Sequence, residues 1–252
     1  MSARHLSRAS HGELSGLALE RAVSTAFDSY ARYWLEMFRL PNLSQDTIRK
    51  YLTVDGYEQI EAALGEGKGA IVALPHLGGW EFAGAWMWAA KRQRLVVVVE
   101  ALEPPELFDW FVGLRSAMGM EVVAAGPDTA TTVLRALREN RIVCLVSDRD
   151  LSGDGIEVEF FGERTTLPAG PAMLSMRSGA PIFPVAVYFT DKRLHHAVVR
   201  SPIDMSRHGK LRADIERMTQ DLATSFEALI SAAPQQWHLM QPNWPSDRNL
   251  ES

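Results

Sequence analysis

Short, mostly apolar runs and longer mixed segments take turns along this chain. Residues 69–74, 95–100, 121–124, 142–147 and 182–188 are rich in Val, Ile, Leu and Ala and have the length of buried strands. Between and after them, residues 80–92, 105–118, 128–140, 169–178 and 209–232 have helical length and composition. Strands that alternate with helices in this way predict an α/β layer fold, with a largely parallel central sheet flanked by helices. Upstream, Leu17, Leu19, Val23, Phe27, Tyr30, Trp34 and Phe38 recur at helical spacing and give residues 17–40 a broad apolar face, which packs on the sheet or meets a membrane. Ser152 to Gly155 reads as a turn, and Pro234 closes the last helix. No repeat or low-complexity linker marks a second domain, so residues 1–252 read as one domain, with residues 1–16 a flexible lead.

The first of these strands runs directly into chemistry. It is followed by Pro75-His76-Leu77-Gly78-Gly79-Trp80-Glu81, which sets a histidine at a strand-to-helix junction and a carboxylate five residues later, an H-x4-E pattern. Such a junction lies at the carboxyl edge of an open α/β sheet, where ligands bind. A neutral imidazole can take a proton from a hydroxyl near pH 7, and a carboxylate behind it fixes its tautomer. Read alone, the pair is equally a strand cap and a solvated first-turn acid. Two other strands end in polar residues on the same predicted edge: Glu100 after the 95–99 run, and Asp148 with Arg149 after the 142–147 run. Arg115, in the intervening helix, is placed to pair with Glu81 or a ligand phosphate. The backbone N–H groups of Leu77, Gly78 and Gly79 are candidate oxyanion donors. Trp80, Phe82 and Trp86 are candidate walls for an apolar ligand or ordinary core, and Phe160 and Phe161 join them as wall candidates.

Composition narrows the classes of function. A net charge of -5 and a pI near 5.8 argue against a general nucleic-acid binder. Cys144 is the lone cysteine, which leaves neither an intrachain disulfide nor a cysteine metal site. His195-His196 lacks companion ligands at metal spacing, so no metal is expected. The Gly-rich run at 65–69 precedes a strand instead of following one and reads as a turn. There is no G-x-S-x-G elbow. No run of 18 apolar residues predicts a membrane span, and the first residues lack an apolar signal region. Lys91, Arg92 and Arg94, and the set Lys192, Arg193 and Arg200, are surface charge or contacts to an anionic membrane or donor phosphates.

Beyond H-x4-E, the chain carries Asp148-Arg149-Asp150-Leu151, then Val158-Glu159-Phe160-Phe161-Gly162-Glu163, then Leu167-Pro168-Ala169-Gly170-Pro171. From about Ser29 to Trp244 it resembles the lauroyl/myristoyl acyltransferase family of lipid A synthesis, within the glycerolipid acyltransferases. Tyr30-Ala31-Arg32-Tyr33-Trp34, Phe38-Arg39-Leu40-Pro41 and Phe160-Phe161-Gly162-Glu163 look most like its phosphatidylinositol mannoside acyltransferase branch. The pairing of Glu81 with Asp148 departs from that branch and looks more like the lipid A pattern. The resemblance implies a glycerolipid-acyltransferase-like fold and direct acyl transfer from acyl-CoA, with no acyl-enzyme and no cofactor beyond the acyl-CoA donor substrate. It implies His76 as general base with Glu81 and Asp148 as catalytic carboxylates, Asp148 preferred as its orienting acid and Glu81 held by Arg115. Glu100, Arg115 and Arg149 are implied at the substrate site, and the aromatic wall would hold an acyl chain.

The implied acceptor is a membrane glycolipid, most closely a phosphatidylinositol mannoside receiving a palmitoyl-like chain. The implied setting is the cytoplasmic face of the plasma membrane, with peripheral contact to anionic lipid and without the hydrophobic N-terminal region usual in the family. A lipid A precursor as acceptor, and a catalytically silent acyl-lipid-binding protein, are the competing readings.

Overall fold

The computed structural model describes residues 1–100, 103–190 and 193–248. In chain order the elements are α1 (Ser2–Ala9), α2 (Gly16–Arg39), α3 (Gln45–Lys50), β1 (Leu52–Asp55), α4 (Tyr57–Gly65), β2 (Ala70–Leu74), α5 (Trp80–Lys91), β3 (Leu95–Val99), α6 (Pro105–Ala117) and β4 (Met120–Ala124). They continue as α7 (Thr129–Arg138), β5 (Ile142–Val146), β6 (Ile156–Phe160), β7 (Glu163–Leu167), α8 (Gly170–Ser178), β8 (Ile182–Phe189), β9 (His195–Val199), α9 (Leu211–Ser231) and α10 (Pro245–Arg248). Seven strands form one sheet in the order β1-β9-β8-β2-β5-β3-β4, and β6 pairs with β7 as a separate hairpin. Every neighbouring pair in the large sheet is parallel except β8 with β9.

The apolar runs form strands because both faces of the sheet are covered. In β2, Ala70, Val72 and Leu74 join the core under α4, α5 and α6, while Ile71 and Ala73 join the opposite core under α7, α8 and α9. All five are buried, which is why this strand shows no polar alternation. The edge strand β1, its neighbour β9 and the β6–β7 hairpin were not expected from the pattern, because residues such as Thr53, His196, Glu157 and Arg164 interrupt their apolar positions.

Residues 1–16 depart from the flexible lead expected of them. The α1 helix packs with His5, Leu6 and Ala9 buried. Arg8 bridges Asp247 at 2.8 Å and Glu163 at 2.9 Å and lies over the Trp244 ring. A polar-looking segment is ordered here by partners more than 150 residues away in sequence. Lys192, in one of the two basic sets, lies outside the described residues.

Candidate active site

Strand register brings His76 and Asp148 together. β2 and β5 pair in parallel with Leu74 beside Val146, and the Ser147 N–H donates to the Leu74 carbonyl at 2.9 Å. Two residues past each strand end, the same offset of 72 positions sets His76 beside Asp148. The imidazole Nδ1 lies 2.6 Å from Asp148 Oδ1, and the His76 main-chain N–H donates to Oδ2 at 2.9 Å. The Asp148 side chain is fully buried, whereas the His76 side chain keeps 37% of its surface exposed. Burial alone would push the Asp148 carboxyl upward, but the His76 charge and the donors from His76 and Trp237 outweigh it and hold its pKa below the ordinary value. For His76, burial disfavours the charged ring, Asp148 more than compensates, and the net shift is upward. The pair is an oriented imidazole with Nδ1 engaged and Nε2 left for chemistry.

The turn after His76 is fixed by backbone constraints. Gly78 has φ +60°, and a Cβ there would stand 1.9 Å from the Val187 carbonyl oxygen, so only glycine fits. That close approach also removes the expected oxyanion donors. The N–H of Leu77 donates to Pro75 O, that of Gly78 to Gln236 O and that of Gly79 to Val187 O, at 2.7, 2.9 and 3.0 Å. The Leu77 amide is therefore spent within the turn, those of Gly78 and Gly79 hold it against the 236–238 segment and β8, and all three are corrected as oxyanion candidates.

Glu81, in the first turn of α5, is 4% exposed and faces α6. Its Oε1 accepts from Arg115 Nη2 at 2.6 Å and Nε at 3.1 Å, and from the Tyr33 hydroxyl at 3.3 Å. Burial, followed by the Glu81 charge, pushes the Tyr33 hydroxyl well above its ordinary pKa and keeps it a donor. Glu100 stands exposed just past the end of β3. Arg149 follows Asp148 and donates to Gln241 Oε1. Among the described residues, no group of three or more His, Cys, Asp or Glu is placed to hold a metal ion. His195 instead pairs with Glu36 at 2.7 Å and stacks on Phe82 at 4.1 Å.

A largely apolar cavity runs between α5 and the sheet. Its lining includes residues from all seven strands, together with Trp80, Ala83, Trp86 and the Glu81–Arg115 pair. At ~4.8 Å per strand spacing, the sheet that floors it is about 29 Å wide. Trp80 lines it, with ring centroids 5.7 Å from His76 and 4.3 Å from Tyr33. Of the expected wall residues, Trp80 and Trp86 line this cavity and the other three do not. Phe82 turns to His195, while Phe160 and Phe161 sit in the opposite core, Phe160 stacked on Trp244 at 5.6 Å. The hairpin that carries them packs against α9, so their apolar side serves the core on that face. Cys144 lines the cavity, and burial pushes its thiol up to about 12, which keeps it protonated.

Two residues near His76 carried no local signal in the sequence. Trp237 donates its indole N–H to Asp148 Oδ2 at 2.8 Å, and the His238 N–H donates to the His76 carbonyl at 2.7 Å. The His238 ring bonds the Ser29 hydroxyl through Nε2 at 2.9 Å. Its Nδ1 is buried without a partner among the described residues. Burial, with a smaller contribution from His76, lowers its pKa to about 3, so the ring is neutral at any working pH. Both residues lie in an irregular segment far along the chain, and only tertiary contact shows their place.

A histidine–carboxylate pair thus sits at the carboxyl edge of a largely parallel sheet, beside an apolar cavity. The chain matches the model of the bacterial lipid A biosynthesis acyltransferases over residues 14–246, and it belongs to that family. It is 37% identical over 227 residues to the phosphatidylinositol mannoside acyltransferase of Mycobacterium tuberculosis, covering 88% of this chain and 70% of that protein. It is 38% identical over 232 residues to the phosphatidylinositol mannoside acyltransferase of Mycolicibacterium smegmatis, covering 91% of this chain and 74% of that protein.

Proposed function

We propose that this chain transfers a long, palmitoyl-like acyl group from acyl-CoA to a sugar hydroxyl of a membrane glycolipid, a phosphatidylinositol mannoside. The observation that carries the chemistry is the 2.6 Å contact between His76 and buried Asp148. It fixes the ring so that Nε2 takes the acceptor hydroxyl proton as the oxygen attacks the thioester carbonyl. The new ester bond forms as the C–S bond breaks, and the sulfur leaves as CoA thiolate, which takes up a proton. Asp148 stays ionised and stabilises the imidazolium during transfer. Direct attack without an acyl-enzyme accords with the buried, protonated state of Cys144, the lone cysteine. The apolar lining of the cavity beside Trp80 and Trp86 suits the acyl chain. The acceptor reading rests on the two mannoside-enzyme relatives.

Among the described residues, no helix is long and apolar enough to cross a membrane. The enzyme is proposed to meet the cytoplasmic face of the plasma membrane peripherally, through exposed apolar side chains of α2 and α6. The deciding experiment is a mass-resolved transfer assay that pairs a series of acyl-CoAs with phosphatidylinositol mannosides and with lipid A precursors. Transfer to the mannosides, with His76→Ala lowering turnover roughly 10²-fold or more, is the expected result. Transfer to lipid A precursors alone would overturn the acceptor, and full turnover in a folded His76→Ala variant would overturn the base.

A further inference from the structure

The buried Asp148 carboxylate has one oxygen on the imidazole and the other on two donors. Oδ2 accepts from the His76 main-chain N–H at 2.9 Å and from the Trp237 indole N–H at 2.8 Å, leaving Oδ1 to meet Nδ1. Two donors on one oxygen restrain rotation about Cβ–Cγ, so the carboxylate plane is set before any substrate arrives. Trp237 is itself held from several sides. It is 4% exposed, its backbone pairs with Leu77 in an antiparallel bridge, and its ring packs near His5, Phe160 and Trp244. Its neighbours Gln236 and His238 bond the backbone of Gly78 and His76. One three-residue segment therefore grips the main chain around His76 and the side chain of Asp148 together.

We propose that Trp237 is a positioning residue of the acyl-transfer reaction, acting through its indole N–H on Asp148 to keep the His76 ring in its proton-accepting orientation. This rests on the reading of His76 as the general base. A tryptophan that only fills space needs its ring. One that positions needs its N–H, and Trp237→Phe separates the two.

With palmitoyl-CoA and a phosphatidylinositol mannoside, Trp237→Phe is expected to lower kcat roughly 10-fold, the loss typical of one charge-assisted hydrogen bond. The donor KM should stay within roughly twofold, because no substrate contact is removed. In an Asp148→Asn background the same substitution should have little further effect. By NMR, the His76 titration midpoint should fall toward the ordinary imidazole value in Trp237→Phe, since a freed carboxylate spends less time on Nδ1. In the unmodified chain, the Trp237 indole proton should shift with the His76 titration, a measurement that needs no variant to fold. Wild-type kcat and His76 midpoint in Trp237→Phe, full additivity with Asp148→Asn, or an indole proton indifferent to the His76 titration would each overturn the proposal. Absence of transfer by the wild-type chain would instead refute the proposed function, while the titrations still decide the link between Trp237 and His76.

Discussion

Glu81, the acid of the H-x4-E pattern, faces Arg115 and not His76. Its Oε1 lies 2.6 Å from Arg115 Nη2, and its hydrogen-bond partners among the described residues are Arg115 and Tyr33. Asp148 holds His76, so the two carboxylates carry separate tasks that mutation can divide. Asp148→Asn is expected to lower turnover by more than Glu81→Gln does. Glu81→Gln leaves the partly buried Arg115 without its countercharge and should lose stability instead, on the order of 2 kcal/mol. Turnover and thermal melting of both variants check this, and the reverse order of damage to turnover would hand the orienting task to Glu81.

Opposite pH trends should appear in stability and activity. The His76 pKa is raised in the fold, so its stabilising contribution is complete below the unfolded value of ~6.5 and fades as pH rises through the folded value. The Asp148 pKa is depressed, so its contribution is present above ~3.9 and fades as pH falls through its folded value. Together they favour the fold most between about pH 4 and 6.5. With His76 as the proposed base, catalysis needs it neutral, so kcat/KM should climb with pH through a midpoint above ~6.5, just where the pair loses its stabilising effect. Melting curves of the wild type and His76→Gln, taken beside a pH–rate profile, test this. A rate profile that falls with pH over that range would contradict the base assignment.

Ala83 lines the cavity from α5 and offers a place to narrow it without touching His76 or Asp148. Ala83→Phe is expected to shift donor preference toward shorter acyl-CoAs, changing the ratio of short-chain to long-chain kcat/KM by roughly tenfold. The donor series above reads this directly. An unchanged preference in a folded variant would place the acyl chain elsewhere.

The sheet was largely legible because its central strands are buried on both faces and leave unbroken apolar runs. β2, β3 and β5 begin or end within one residue of the runs at 69–74, 95–100 and 142–147. The His76–Asp148 pair follows from parallel register once those strands are adjacent, whereas H-x4-E alone points to Glu81. What the sequence hid depends on distant partners. Trp237 and His238 reach the site through single hydrogen bonds from irregular backbone, and α1 is ordered by Asp247 and Glu163. The donors expected at Gly78 and Gly79 failed for the same reason, since their carbonyl partners come from the 236–238 segment and from β8, while Leu77 closes a local turn onto Pro75.

The proposed contact with lipid has two rival surfaces on this molecule. On α2, Phe27 and Phe38 lie three helical turns apart on one stripe and are 53% and 48% exposed. Phe38 meets Trp110 of α6, itself 49% exposed, at 5.7 Å. From this patch, aromatic rings run inward through Trp34 and Tyr33 to Trp80 and His76, each step between ring centroids under 6 Å. The basic residues Lys91, Arg92 and Arg94 lie at the far end of α5, about 18 Å from Trp80 at 1.5 Å per residue. Lys91 is paired with Glu61 at 2.9 Å, and Arg92 and Arg94 flank the Trp88 ring. The aromatic patch is thus continuous with the site, and the basic set is not. Burying each half-exposed aromatic in lipid is worth about 1 kcal/mol, so Phe38→Ser with Trp110→Ser should weaken partition into anionic vesicles roughly tenfold or more. The effect should persist at high salt, because area and not charge supplies it. Replacing Lys91, Arg92 and Arg94 by Gln should leave partition nearly unchanged. A large, salt-sensitive loss in that triple variant, with the aromatic double variant binding normally, would move the membrane face to the other end of α5.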